Sequence, residues 1–143
     1  MQINDLRLRE ARPSDRPHLL LWDNTNDLDL KQLALYENAE RISYRDNLIS
    51  RTPATSRFLK LHLHLARELD AIKNMCMNRS KPVVLLCEFD CLITYLRTEP
   101  EAKLTFFWKN LDTTRHLESV LWIILPRKLA PTDWDENRVK YID

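Results

Sequence analysis

The sequence predicts an α/β fold, a three-layer sandwich in which a mostly parallel sheet of about five strands lies between helices. Two observations carry that prediction. The apolar runs HLLLW (His18 to Trp22), VVLLC (Val83 to Cys87) and SVLWIILP (Ser119 to Pro126) are continuous instead of alternating, as suits strands covered on both faces. The stretches between them carry apolar residues at helical spacing, the pattern of strand-helix-strand units whose crossovers make neighbouring strands parallel. At 143 residues, 44% of them apolar and 30% charged, the chain fits one globular domain with a single core.

Taken in order, residues 1–17 are polar and carry Pro13 and Pro17, which predicts an extended N-terminal arm. A single α/β domain is expected over 18–143. HLLLW is its first strand and DNTND its first turn. The spacing of Leu30, Leu33 and Ala34 predicts a helix from Asp29, with Asp29 as its N-cap. ERISY (Glu40 to Tyr44) reads as a second strand and RDNLISR as a short helix or turn. From Pro53 onward, Phe58, Leu61, Leu65, Leu69, Ile72 and Cys76, widened by Leu59, Leu63 and Ala66, predict one amphipathic helix of about five to six turns. VVLLC follows as a strand with Pro82 just outside it. CLITYL and the segment carrying Leu104, Phe107, Trp108 and Leu111 read as one or two helices. SVLWIILP is a strand, RKLAPTDW a loop and NRVKYID a short final strand.

The chain contains no glycine, where average usage of ~7% would supply about ten. Every turn that needs a positive φ must therefore use another residue, and asparagine is the least strained substitute. Asn24, Asn26, Asn47, Asn78 and Asn110 stand near predicted element ends and are the expected positions.

Lys and Arg number 22 against 21 Asp and Glu, so the whole-molecule field provides no general attraction to nucleic acid or anionic membrane. Three cysteines, Cys76, Cys87 and Cys91, cannot all pair within the chain, and two interrupt apolar segments, which favours buried thiols in a reducing cytosol. No apolar run approaches the ~20 residues of a membrane span, and MQINDLRLRE is too charged for a secretory signal. A cytoplasmic location without membrane contact is expected.

In a parallel sheet ligands bind beyond the carboxyl ends of the strands, which directs attention to Asp23–Lys31, Glu88–Asp90 and Arg127–Asp133. A phosphate loop requires G-x-x-x-x-G-K-[ST], with inward backbone amides and a lysine reaching the terminal phosphates. Counting back from Lys31 puts Thr25 and Leu30 at the glycine positions, and Gln32 stands where the magnesium-binding hydroxyl belongs. Asp23, Asp27 and Asp29 would repel a triphosphate. A strand-to-helix turn with an aspartate cap explains the segment without any nucleotide.

The order of elements, through LLLWDNTNDLDLKQL, PVVLLCEFDCLI and VLWIILPRKL, resembles the RecA-like and AAA-like P-loop fold, most closely the small P-loop proteins of BREX phage-defence systems, over roughly residues 18–142. Laid on that family, Cys87 falls at the magnesium-binding aspartate and Asp90 near the catalytic acid, or, in another register, Glu88 and Phe89 take those places. Neither register completes the acid pair. The resemblance therefore implies a domain that kept the architecture and lost the ATPase, with no cofactor.

Two enzyme readings compete with this. Asp90, Glu101 and Lys103 match the D…E-x-K spacing of metal-dependent nucleases, but that motif needs adjacent strands, and PEAKLTFFWKNL has helical periodicity. A metal site from His62, His64 and a cysteine fails because helical residues two apart do not face each other. For nucleic acid, Arg41, Arg45, Arg51, Arg57, Lys60 and Arg67 form a loosely basic stretch from which Arg57, Lys60 and Arg67 are the expected phosphate contacts, against the simpler reading of a solvated helix face. Arg127, Lys128 and Arg138 form a second basic set, expected near a domain edge where an arginine enters a neighbouring subunit's site; surface pairing with Asp133, Asp135 and Glu136 is the simpler account. The expectation is a non-catalytic subunit or adaptor of a larger nucleic-acid-handling or phage-defence complex. Protein partners would be met at Asp23, Asp27, Asp29, Arg127, Lys128 and Arg138, and DNA or RNA directly or through the complex. A nucleic-acid-binding module and a metal-dependent nuclease are the alternatives.

Overall fold

The structure, a computed structural model, describes residues 6–53, 60–99 and 103–142. Five strands, β1 (His18–Trp22), β2 (Ala39–Ser43), β3 (Val83–Cys87), β4 (Val120–Leu125) and β5 (Val139–Ile142), form one sheet in the order β2-β3-β4-β1-β5. All four neighbouring pairs are parallel, with Leu20 opposite both Ile124 and Lys140, and Ile42 opposite Leu86. Five helices connect them: α1 (Asp27–Glu37), α2 (Tyr44–Arg51), α3 (Leu65–Met75), α4 (Asp90–Thr98) and α5 (Leu104–Asp112). The predicted α/β class and five-stranded sheet are present. Strands β1, β3 and β4 are buried along their whole length, which is why their sequences are apolar at every position.

Alternate residues of each strand feed two cores. Leu19, Leu21, Val84, Leu86, Leu121 and Ile123 pack with α2 to α5 and with Trp134. Leu20, Trp22, Val83, Leu85, Trp122 and Ile124 pack with α1 and with Leu6 and Leu8 of the N-terminal segment. The segment expected to be an extended arm thus lies against the sheet, and Leu8–Glu10 forms a 3-10 turn. Leu6 and Leu8 are fully buried, because Leu20 and Trp122 would otherwise face water on the side that α1 leaves open.

Three further expectations are corrected. Helix α1 begins two residues before Asp29, and its N-cap is Asn26, whose side chain accepts from the Asp29 N–H. Within residues 60–78 of the long helix predicted over 53–78, the chain forms a 3-10 turn (Leu61–Leu63) and the three turns of α3. His64, at φ −132° and ψ 38°, breaks the helical path between them, so the apolar spacing runs through two elements. Phe58 and Leu59 of the predicted stripe lie outside the described residues. Among described residues the positive φ values fall at Arg7, Asn38, Asn78, Glu88 and His116; of the five asparagines expected, Asn78 alone takes this role, while Asn38 ends α1.

Cys76, Cys87 and Cys91 are free thiols, the first two buried and the third exposed. Burial pushes the Cys76 thiol up to about 12 and raises that of Cys87, so both are inert core groups. No helix among the described residues is long and apolar enough to cross a membrane.

Candidate functional site

The strand β1 runs to β2 past two intervening strands, while β4 runs to β5 in the opposite direction, so a crevice opens beyond the carboxyl ends of β1, β3 and β4. It is a cleft of about 400 Å³. Its walls carry Trp22, Asp23, Asn26 and Asp27 from the β1 end, Cys87, Glu88 and Asp90 from the β3 end, and Arg41 from β2. Of the predicted stretches Asp23–Lys31 and Glu88–Asp90, the crevice is lined by Asp23, Thr25, Asn26, Asp27, Leu30, Glu88 and Asp90, while Phe89 turns into the core and Arg127 reaches the Asp23 end through its backbone.

Local bonds engage many of the polar groups along and beside the crevice. The Asp29 N–H donates to Asn26 Oδ1 at 2.8 Å, and Asn26 Nδ2 donates to Asp29 Oδ2 at 2.7 Å, so the first turn of α1 caps itself. Asp23 Oδ1 accepts from the Arg127 N–H at 2.8 Å, tying the ends of β1 and β4 together. Asp27 takes Arg41 Nη1 at 3.1 Å and Lys31 Nζ at 3.3 Å, and the Arg41 hydrogen bond, with Lys31 beside it, holds its carboxyl below the usual range. Ser43 Oγ donates to Glu88 Oε2 at 2.5 Å and accepts from the Asp46 N–H at 3.1 Å, joining the β3 turn to the start of α2. Glu88 itself stands at φ 59°, a left-handed conformation that costs about 1–2 kcal/mol in a residue with a Cβ. The sequence carried no signal for Ser43 or Arg41 at this site, because both come from β2 and their arrival depends on strand order.

Among the described residues no group of three or more His, Cys, Asp or Glu is placed to hold a metal ion. The nuclease alternative loses its frame: Asp90 begins α4, Lys103 is the N-cap of α5, and Glu101 lies outside the described residues. His62 sits in the 3-10 turn with Nδ1 at 2.8 Å from the Tyr95 hydroxyl, and His64 immediately precedes α3, so neither flanks a continuous helix.

Of the basic C-terminal set, Arg127 is exposed and stacks over the Tyr141 ring at 5.4 Å, and Lys128 is exposed beside it. Arg138 is placed differently. It is 1% exposed at the amino end of β5, across the sheet from the crevice. Its Nη1 donates to the Pro17 carbonyl at 2.8 Å, its Nη2 to Asp112 Oδ1, and its guanidinium lies 5.0 Å from the Trp134 ring centre. The sequence expectation of a partner-contacting Arg138 is therefore corrected: it is a buried clamp between the N-terminal segment and α5. Acid neighbours in sequence had pointed to surface pairing, but the partner is Asp112 in another element.

A second cleft, of about 420 Å³, opens between α2 and α3. Lys60 and Arg67, two of the expected phosphate contacts, line it together with Arg51, Leu63, His64 and Asp70. Arg57 lies outside the described residues. Behind this cleft Glu68 is fully buried, accepting from Tyr44 Oη at 2.5 Å and from Arg51 Nη2 and Nη1 at 2.9 and 3.1 Å. Burial alone would raise the Glu68 carboxyl, but the Arg51 and Tyr44 hydrogen bonds outweigh it and hold the group below the usual range.

The outer side of α1 carries three exposed apolar side chains, with Lys31 and Gln32 between them. Leu28, Leu35 and Tyr36 are 65%, 82% and 64% exposed, while Leu30 and Leu33 of the same helix are buried. No family model, no curated protein and no solved structure matches this chain.

Proposed function

We propose that the chain is a non-catalytic subunit or adaptor of a larger nucleic-acid-handling or phage-defence complex, a degenerate P-loop-like domain that meets a protein partner on its α1 side. The observation that carries this reading is the acidic lining of the crevice. Asp23, Asp27, Glu88 and Asp90 stand where a nucleotide-binding sheet presents donors, and their charge opposes a phosphate ligand. The exposed Leu28, Leu35 and Tyr36 continue from the same rim and supply apolar contact area of the kind interfaces use. Asp23, Asp27 and Asp29, with Arg127 and Lys128, are the charges that border this contact in a hetero-oligomer of the cytoplasm.

The test is affinity purification of the full chain from its native host, followed by mass spectrometry. A stoichiometric partner is expected with the wild type and lost with Leu28→Glu plus Leu35→Glu; a chain that returns alone and monomeric overturns the reading. Titration with magnesium and ATP is expected to leave the unfolding temperature unchanged, and a saturable rise would equally overturn it.

A further inference from the structure

The chain's near-neutral total charge means that any affinity for nucleic acid must be local, and the α2–α3 cleft is where exposed cations meet apolar surface. Arg51 is not one of them. Its Nη groups are bound to the buried Glu68, and its Nε donates to Asn47 Oδ1 at 2.6 Å, so it serves as a rigid wall. Lys60 is exposed. Arg67 is 58% exposed and touches Glu68 only through Nε at 3.4 Å, on a carboxylate already occupied by Arg51 and Tyr44. Leu63, 57% exposed, and Pro53 stand in the same cleft, placing apolar surface beside exposed charge.

We propose that this cleft binds a single-stranded nucleic acid, with Lys60 and Arg67 on successive phosphates and Leu63 against a base. Single-strand sites combine cations that follow the backbone with aromatic faces for the bases; this cleft brings Lys60 and Arg67 together with the His64 ring and the apolar surface of Leu63 and Pro53. The α3 amino end adds a favourable partial charge, since its N-cap His64 makes no side-chain capping bond. Two cations set the contact at about two phosphates, and Asp70, the exposed acid on the cleft wall, opposes part of their attraction. Binding by the isolated chain is accordingly weak, and it acquires strength when the partner supplies further contacts. This inference rests on the adaptor reading and deepens it by naming the nucleic acid that the complex would present to this subunit.

The experiment is fluorescence anisotropy of a labelled oligodeoxythymidine with the full chain over a range of salt. Saturable binding is expected, with log K falling against log salt at a slope of about −1.4 for two single-strand contacts. Lys60→Glu with Arg67→Glu is expected to weaken binding at least about tenfold and to flatten the slope. The same charge change on α5, Lys103→Glu with Lys109→Glu, is expected to leave affinity within about twofold, because distant exposed charges are screened. Lys60→Gln alone, which removes one charge from an exposed side chain, should flatten the slope by about 0.7 whether or not the double variant folds. Absent binding overturns the proposal, as does equal loss in both double variants, which marks whole-molecule charge. Equal displacement by inorganic phosphate at matched phosphate concentration overturns it too, by identifying a simple anion site. If oligonucleotide binding fails while the partner still co-purifies, this inference falls and the adaptor reading stands; if the partner is also lost, both fall.

Discussion

On one face of the sheet Leu19, Leu21, Val84 and Leu121 are covered by α2 to α5, while on the other Leu20, Trp22, Trp122 and Ile124 are covered by α1 and residues 6–11. The two coverings meet different physical demands. Helices satisfy their own backbone, so the polar groups buried on the first face are side-chain clusters, Tyr44–Glu68–Arg51 and the Arg138–Asp112 pair against Trp134. The described N-terminal segment bonds to itself only in short turns (Glu10 N–H to the Arg7 carbonyl, Ala11 N–H to Leu8, Arg16 N–H to Pro13), and side chains from the elements beneath it supply further partners. Leu8 N–H donates to Glu37 Oε1 at 2.5 Å, Trp122 Nε1 donates to the Leu8 carbonyl at 3.0 Å, and Lys140 Nζ donates to the Leu6 carbonyl. His18 Nε2 lies 3.0 Å from the Pro13 carbonyl, with its ring stacked 4.7 Å from Trp122. Buried Glu37 and His18 thus have a common cause: an irregular strap must borrow its hydrogen bonds.

That contrast can be broken from either side. Deleting residues 1–11 removes Leu6 and Leu8 from the core and should cost about 3–6 kcal/mol, at about 1.5–3 kcal/mol for each fully buried leucine. Urea denaturation measures it, and a loss under about 1 kcal/mol would mean that the segment merely rests on the sheet. On the helical face, Glu68→Ala leaves Arg51 and Tyr44 without their acceptor and should cost about 3 kcal/mol, since Arg51 retains some access to water.

The faces should also titrate in separate windows. Burial, opposed by the Pro13 carbonyl and reinforced by Arg138, Lys140 and Arg16, lowers His18 from 6.5 to about 4. The unfolded chain then binds a proton that the folded chain refuses, so stability falls as pH drops from 6.5 to about 4, by up to about 3 kcal/mol. The Glu68 carboxyl, held low, contributes stability above its ordinary value of 4.5 and loses it only at lower pH. His18→Gln should abolish the upper window and leave the lower one, as read from urea midpoints across pH. A smaller effect is expected from Trp122→Phe, about 1–2 kcal/mol for a buried Leu8 carbonyl left without its donor. Smallest for stability is Leu35→Glu on the outside of α1, within about 0.5 kcal/mol, with partner co-purification as the readout that changes.

Much of the fold was legible because its signals are local. The runs of β1, β3 and β4 are apolar at every position, and the observed strands match them to within a residue at each end. The crevice was legible in part for the same reason: Asp23, Asp27, Glu88 and Asp90 follow strand ends. The break before α3 was not, since Leu61, Leu65 and Leu69 keep helical spacing across a 3-10 turn. Neither was the role of Arg138, whose acceptors Pro17 and Asp112 are 121 and 26 residues away.

By itself, the sequence determined the class of fold, the positions of the buried strands and the lack of a G-x-x-x-x-G-K-[ST] motif, because hydrophobic periodicity and glycine content act within a few residues. Only the tertiary structure decided that the N-terminal segment is part of the core, that Ser43 and Arg41 reach the crevice, and that Lys60 and Arg67 share a cleft while Arg138 is buried. Those outcomes depend on strand order and on which backbone groups lack partners, and both are settled when distant segments meet.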